Sequence, residues 1–178
     1  MLKNLFRPRL RARIGDDLYA KAVAQARNVA FYTRLAVADR IDARFELYTL
    51  HVLLLVLRLR DENTAQGQET AQELFDVYVS ALDHVLREEG VGDVAVGKKM
   101  RKLGEALYGR MTAYEPPLRA ADADTLTEAL ARNVYGQDGG QDGAEHAAAL
   151  AAYALTARAN LAAQTFKAVQ TTPAWPEV

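Results

Sequence analysis

The chain has no cysteine among its 178 residues, and this absence excludes disulfide bonds, thiol catalysis and cysteine-ligated metal sites. Its three histidines, His51, His84 and His146, fall on separate predicted helices, and none belongs to the Glu-x-x-His pair that a di-iron bundle requires. Neither a His-Glu-x-x-His motif nor a nucleophile elbow occurs. The sequence therefore favours a protein that is not an enzyme, with no metal site and no cofactor.

A strong net charge is also absent. The formal charge is -1, which argues against DNA binding and confines any contact with RNA to a local basic patch. No apolar run approaches the roughly 20 residues that a transmembrane helix needs, and no secretory signal is evident. These absences favour a cytoplasmic location, in solution or peripherally on the cytoplasmic face of the inner membrane.

Helical periodicity, by contrast, is present along most of the chain, and half of the residues are hydrophobic. The pattern predicts an all-α fold. One compact multi-helix domain is expected over residues 15–170, after a basic amphipathic arm at 1–14 and before a tail at 171–178. The predicted boundaries are Asp16 or Asp17 to Asn28 for the first helix, Asp124 or Thr125 to Val134 for a short later one, and Ala144 to Val169 for a long alanine-rich one.

The most hydrophobic element is a predicted helix from Asp39 to Arg60. Between Glu46 and Arg58 it has almost no polar residue. A helix that is apolar on nearly every side is surrounded by others, so this one is predicted to lie at the centre of the domain. His51 inside it is predicted to be a core histidine bonded to a backbone carbonyl or to a tyrosine.

A second feature is a pair of amphipathic helices on either side of a glycine turn. Gly90 suits the left-handed end of the first helix, and Asp93 suits the N-cap of the second. These signals predict an antiparallel helical hairpin through Gly90–Asp93. In it, Gly97 is expected to let a neighbouring helix approach closely, and Pro116-Pro117 to end the second helix.

The same turn partly matches a phosphate-binding P-loop. Residues 92–98 (Gly-Asp-Val-Ala-Val-Gly-Lys) fit its first seven positions. The eighth position must be Ser or Thr to hold Mg²⁺, and here it is Lys99. The segment before the turn is also a predicted acidic helix, where a P-loop needs a buried strand. The sequence therefore argues against nucleotide binding.

Two blocks of sequence, together spanning roughly Leu18 to Pro117, resemble the ubiquinol–cytochrome c chaperone family. The first comprises Gly90-Val91-Gly92-Asp93, Val96-Gly97-Lys98-Lys99, Glu105-Ala106-Leu107-Tyr108-Gly109-Arg110 and Ala113-Tyr114. The second comprises Ala26-Arg27, Ala30-Phe31-Tyr32, Asp42, Arg44-Phe45, Leu50-His51 and Arg58-Leu59-Arg60.

The resemblance implies an all-helical assembly factor. Mitochondrial members of that family hold newly made cytochrome b before it enters the ubiquinol–cytochrome c reductase complex, and they associate with the ribosome that makes it. The family usually has Gly, Pro and Gly where this chain has Ala36, Ala38 and Ala43. Because alanine favours helix over turn, this departure leaves open whether a loop precedes the central helix.

The candidate partner-binding surface is an exposed groove or patch near the glycine turn, suited to an apolar client helix. Two further candidates lie outside the hairpin: Phe31-Tyr32, which favours core packing but could form a groove wall, and Arg44, which could pair with an acid on a neighbouring helix. The residues expected to rim the patch are Asp93, Lys98, Lys99 and Lys102, with Tyr108 and Arg110 further along.

The amino-terminal arm combines apolar and basic residues, and three interpretations of it are open: a solvated tail, contact with an anionic membrane, or contact with ribosomal RNA. Each basic residue near an anionic leaflet contributes about 1 kcal/mol. The residues concerned are Leu2, Lys3, Leu5, Phe6, Arg7, Arg9, Arg11 and Arg13.

Three functions are consistent with these patterns. The first is a chaperone whose client, implied by the resemblance alone, is cytochrome b. The second is a ribosome- or RNA-associated module that uses the arm and the Lys98–Lys102 cluster. The third is a haem- or small-molecule-binding protein that uses His51 or His84. Trp175 in the tail either docks on the domain or stays in solvent.

Overall fold

The structure is a computed structural model that describes residues 7–88, 93–136 and 142–178. Within these ranges all regular secondary structure is helical, so the predicted all-α fold is confirmed. The elements are α1 (Arg7–Ala26), α2 (Val29–Thr33), α3 (Ile41–Arg60), α4 (Ala65–Glu88), α5 (Asp93–Ala120), α6 (Ala123–Leu130), a π-helical turn (Ala131–Tyr135), α7 (Asp142–Ala163) and α8 (Phe166–Thr171).

Helix α3 is the central element, as predicted. Every residue from Thr49 to Leu59 is buried, and α1, α4, α5 and α7 all pack against the helix. The guanidinium of Arg58, near the end of the buried stretch, also has hydrogen-bond partners. Arg58 donates from Nε to the carbonyl of Leu161 at 2.9 Å and from Nη2 to that of Gln164 at 2.7 Å. The buried guanidinium thereby binds carbonyls at and just beyond the end of α7.

The predicted hairpin corresponds to α4 and α5. These helices pack against each other, and only residues 89–92 connect them, so they run antiparallel. Gly90 and Gly92 lie outside the described residues, whereas Asp93 is the first residue of α5. The element before the turn is a helix, so the strand that a P-loop requires is not there.

Helix α5 continues through Pro116 and Pro117 to Ala120, so the predicted end at the prolines is wrong. A proline lacks the N–H donor but keeps its carbonyl acceptor. Pro117 uses that carbonyl to accept from the N–H of Asp122 at 2.9 Å. Pro117 and Leu118 are also buried, so packing on the core stabilises this last part of the helix.

Two other predicted boundaries are also wrong. Helix α1 begins at Arg7, well before Asp16, because Pro8 is tolerated in the first turn of a helix. The predicted helix from Ala144 to Val169 is two helices. Thr165 starts the second one, since its Oγ1 accepts from the N–H of Ala168 at 3.3 Å.

A loop does precede the central helix. Ala36 adopts a left-handed conformation there, with φ of 50°. This conformation brings Cβ too close to the following carbonyl, at a cost of about 1–2 kcal/mol for an L-residue. The chain therefore forms the turn in spite of its alanine.

We expect Ala36→Gly to raise the free energy of unfolding. Relief of the left-handed strain exceeds the added entropy of the unfolded chain, which leaves a net gain of about 0.5–1 kcal/mol. Urea denaturation measures this change. Ala38→Gly, at a position without a positive φ, is the matched control and should give no gain. Equal effects of the two substitutions would contradict the strain argument.

Candidate functional site

A groove lies between α4 and α5, with α3 as its floor. Its narrow base is apolar, is lined mainly by Val52, Leu53, Phe75 and Leu107, and has room for about 10 Å³. This space suits at most one water molecule and excludes a haem. The base is therefore packed, and any ligand must lie above it.

Above the base the groove widens to about 320 Å³. Val56, Phe75 and Met111 line both the base and the wider part, so the two are continuous. Arg60, Gln68 and Gln72 add polar groups at the edge. We call this combined feature the α3–α4–α5 groove. An apolar floor with a polar edge is the usual form of a helix-binding groove.

Beyond the groove the hairpin is less covered, although Val79 and Leu82 still pack against the core. Among the described side chains, the last buried one of α4 is Tyr78 and the first of α5 is Leu107. Between them, no side chain that the structure describes (residues 79–87 and 97–106) is fully buried. We call these two segments the hairpin arm. Its apolar side chains stay only partly covered: Val79, Leu82, Leu86, Met100 and Leu103 are half-buried and Val85 is 47% exposed.

One stripe of α5 lies on the same side of the helix as Met111, which lines the groove. Gly104, Tyr108 and Met111 are spaced at i, i+4 and i+7, which places them on one side of the helix. Tyr108 is 74% exposed. Among the described residues, no atom outside the helix's own backbone lies within 4 Å of a Cβ atom added at Gly104 or at Gly97. The prediction that Gly97 allows close helix packing is therefore wrong, because no described helix packs against α5 there.

Lys98, Lys99 and Lys102 are exposed, as expected for partner-binding residues. They do not rim the groove. At about 100° per residue, Lys102 points about 180° away from Met111, and the other two lysines point more than 100° away. The cations thus form a separate surface of the arm. Asp93 begins the same helix, but its side chain lies outside the described residues.

Arg110 differs from its predicted role. It donates to the carboxylate of Glu46 from Nε at 3.0 Å and from Nη2 at 2.7 Å. Burial raises the pKa of Glu46, and the guanidinium of Arg110 offsets part of this effect. The pair ties α5 to α3, so Arg110 is a structural residue and not part of an exposed patch.

The remaining partner candidates lie elsewhere. Phe31 is fully buried, which agrees with core packing, and its ring stands edge-on to that of Tyr153. Tyr32 is half-buried and Arg44 is exposed. Arg44 pairs at 2.6 Å with Asp39, which lies in the loop before α3. This partner is not the acid on a neighbouring helix that was expected. The structure therefore separates these residues from the hairpin.

Among the amino-terminal residues predicted as membrane or ribosome contacts, four lie outside the described residues: Leu2, Lys3, Leu5 and Phe6. Arg7, Arg9, Arg11 and Arg13 belong to the first turns of α1. No described helix is long and apolar enough to cross a membrane. The described residues also contain no group of His, Asp and Glu arranged to hold a metal ion.

His51 is a core histidine with both ring nitrogens engaged. Nδ1 bonds the carbonyl of Leu47 at 2.8 Å, and Nε2 bonds the hydroxyl of Tyr153 at 2.9 Å. Gln25 donates to the same hydroxyl at 3.0 Å. The neutral ring therefore carries its proton on Nδ1 and accepts from Tyr153. Such a histidine has no free nitrogen for haem iron, which removes the main candidate for a haem protein.

Trp175 docks on the domain and packs edge-on to His51, with ring centroids 5.2 Å apart. Nearby, the N–H of Ala174 donates to the side chain of Gln164 at 2.8 Å. The carboxyl-terminal tail thus covers one side of the His51 ring. Local sequence patterns do not indicate which tyrosine or tryptophan contacts His51, because these contacts join residues more than 100 positions apart.

Burial lowers the pKa of His51 to about 4, whereas an unfolded histidine titrates near 6.5. The unfolded state therefore takes up the proton first as the pH falls. We expect the free energy of unfolding to drop by about 2 kcal/mol between pH 7 and pH 5 from this group alone. In the variant His51→Gln this part of the drop should vanish, as measured by urea denaturation at both pH values. If the free energy of unfolding of His51→Gln fell as steeply as that of the wild type, the pH dependence could not be assigned to His51.

The groove residues themselves were not identified from sequence. Phe75 and Met111 belong to apolar stripes that equally predict core packing, and both are half-buried in the structure. These two side chains stay partly exposed only because of how α4 and α5 are placed on α3. The one available signal was glycine at 97, 104 and 109 in a single helix, which is unfavourable unless the surface serves a purpose.

The fold and the groove together define a class: an all-helical binding protein with an open apolar groove and a projecting hairpin. Residues 33–175 match the family described as ubiquinol-cytochrome C chaperone. The chain belongs to this family.

A solved structure supports the same assignment. It is a crystal structure of the Cbp3 homolog from Brucella abortus, which is 34% identical in sequence with a TM-score of 0.84. The match covers 99% of this chain and 97% of that one, so the likeness extends over the whole fold. None of the curated proteins matches the chain.

Proposed function

We propose that this chain is a non-enzymatic assembly chaperone that holds newly made cytochrome b during the biogenesis of ubiquinol–cytochrome c reductase. Membership of the family supports a chaperone role. The single observation that carries the proposal further is the α3–α4–α5 groove, whose base at Tyr78 and Leu107 lies where the hairpin arm with its half-buried apolar side chains begins. Cytochrome b is the client that the family resemblance implies.

The dimensions of the surface suit a membrane-spanning helix. From Gly97 to Met111, α5 carries the arm and the groove stripe over about 21 Å, at 1.5 Å per residue. A helix that crosses the hydrocarbon core of a bilayer is about 30 Å long. The stripe could therefore shield most of one face of such a helix from water before insertion. The glycines in it allow the client backbone to approach closely.

The charged residues have a different role in this proposal. Lys98, Lys99 and Lys102 point away from the groove, so they are free to contact an anionic surface while a client is bound. Together with the basic amino-terminal segment they would keep the protein beside the membrane and the ribosome where the client emerges. Both contacts are parts of the proposal.

The substitution Gly104→Trp tests the groove directly. Position 104 has open space around it, so the fold should tolerate the indole, and loss of a mid-helix glycine favours the helix by about 0.5–1 kcal/mol. The indole would nevertheless occupy the client surface. We expect cells that carry this variant to lose most of the reduced-minus-oxidised absorbance of cytochrome b, with unchanged transcript and unchanged chaperone level.

Gly109→Trp is the matched control. Position 109 is equally open, but it lies two residues from Met111 and therefore on nearly the opposite side of α5. This variant should keep a normal cytochrome b spectrum. Two normal spectra would exclude the groove as the client site, and a defect in both variants would point to α5 stability instead.

A second candidate function is ribosome binding through the lysine surface. The exposure of Lys98, Lys99 and Lys102 favours it. Replacing all three by Gln should weaken co-sedimentation with ribosomes and reduce its salt dependence, because fewer counterions are released. Co-sedimentation that is unchanged by the substitutions would remove this function from the lysine surface.

A further inference from the structure

A second concave surface lies at another corner of the molecule. The end of α1, helix α2, the loop at 34–40 and the start of α3 enclose a pocket of about 510 Å³. Arg27, Val29, Tyr32, Asp39 and Arg44 line it. We call it the corner pocket. None of its lining residues belongs to the α3–α4–α5 groove, so the two surfaces can act independently.

Exposed apolar side chains occur at this corner. Val29 is 68% exposed and Ile41 is 70% exposed, and the other exposed large hydrophobic side chains among the described residues, Val85 (47%) and Tyr108 (74%), lie on the hairpin. Val29 lines the pocket, and Ile41 follows Asp39 by two residues. Exposed aliphatic side chains beside tyrosine and arginine are typical of the centre of a protein–protein interface.

The pocket also has one uncompensated positive charge. Arg44 pairs with Asp39 at 2.6 Å, which neutralises both groups. Arg27 instead donates from Nε to the hydroxyl of Tyr48 at 2.7 Å, and its guanidinium lies 5.7 Å from the centre of that ring. In the part of the chain that the structure describes, no carboxylate pairs with Arg27. The guanidinium is thus oriented while its charge stays unmatched.

The walls of the pocket are held in place by local hydrogen bonds. Asn28 caps α2, since its side chain accepts from the N–H of Ala30 at 3.0 Å. The hydroxyl of Tyr32 donates to the carbonyl of Ala26 at 3.3 Å, which links α2 to α1. A pocket fixed in this way has little side-chain entropy to lose when a partner binds.

We propose that the corner pocket is a docking site for a protein segment in which an acidic side chain stands next to an aliphatic one. The carboxylate would pair with the two outer nitrogens of Arg27 as a bidentate acceptor. The aliphatic neighbour would cover Val29 and Ile41. A protein segment fits better than a lipid surface because the site is a concave pocket, which a flat bilayer surface cannot fill.

NMR titration of ¹⁵N-labelled full-length protein tests this proposal. The probe is acetyl-Leu-Glu-Leu-amide, and the matched control is the peptide with Gln in place of Glu. The glutamate peptide should shift amide signals within residues 27–44 and bind at least fivefold more tightly than the glutamine peptide. Shifts elsewhere only, or equal affinity of the two peptides, would overturn the proposal.

Three variants locate the interaction. Arg27→Gln should reduce binding of the glutamate peptide to that of the glutamine peptide, whereas Arg101→Gln, which removes an exposed cation of the hairpin arm, should leave it unchanged. Tyr48→Phe keeps the charge but frees the guanidinium, and it should weaken binding about two- to threefold. Thermal melts check that each variant is folded. Binding that is insensitive to Arg27→Gln in a folded protein would contradict the assignment.

Lipid binding is the other outcome to measure. Wild-type protein should not co-sediment with phosphatidylglycerol vesicles through this corner, so Arg27→Gln should leave any vesicle binding unchanged. Vesicle binding that Arg27→Gln abolishes would make the corner a membrane surface and overturn the peptide proposal.

Discussion

The complete burial of helix α3 is the constraint on which the rest of the structure depends. From Thr49 to Leu59 the helix presents apolar side chains in every direction, and each buried leucine or valine stabilises the fold by about 1.5–3 kcal/mol. No two helices can cover such a surface. The other helices therefore surround α3, and their positions follow from the apolar surface of α3 that they bury.

The α3–α4–α5 groove is the place where α4 and α5 do not close completely over α3. Helices α4 and α5 both contact α3, but above the narrow base they leave a space lined by Val56, Phe75 and Met111, and the last two side chains are only half-buried. The Glu46–Arg110 pair fixes α5 on α3 at the point where the hairpin arm begins. The buried ion pair thus provides little net stability but specifies how α5 crosses α3. The shape of the client surface follows from that crossing.

Sequence periodicity predicts the elements of this fold and fails at particular contacts. The central helix, the hairpin and the hydrogen bonds of His51 follow from local pattern and from the general need to satisfy buried polar groups. The continuation of α5 past Pro117 does not, because it depends on packing of Leu118 on the core. The break at Thr165 has a local N-cap, but it is also stabilised by a distant residue, since Arg58 donates to the carbonyls of Leu161 and Gln164.

The candidate site was harder to predict for a related reason. An exposed lysine is recognisable in sequence, so Lys98, Lys99 and Lys102 were found, yet their direction relative to the groove depends on how α5 is rotated about its axis. Arg110 has the same residue type as a surface cation and is half-buried against Glu46. Half-buried apolar residues such as Phe75 look like core residues until the neighbouring helices are placed.

The most direct test of the account is site-specific photo-crosslinking in living cells. A benzoylphenylalanine at Tyr108, on the groove stripe, should capture newly made cytochrome b, and the same group at Lys102, about 120° away on α5, should not. Equal capture at both positions, or capture at Lys102 alone, would contradict the claim that the α3–α4–α5 groove holds the client.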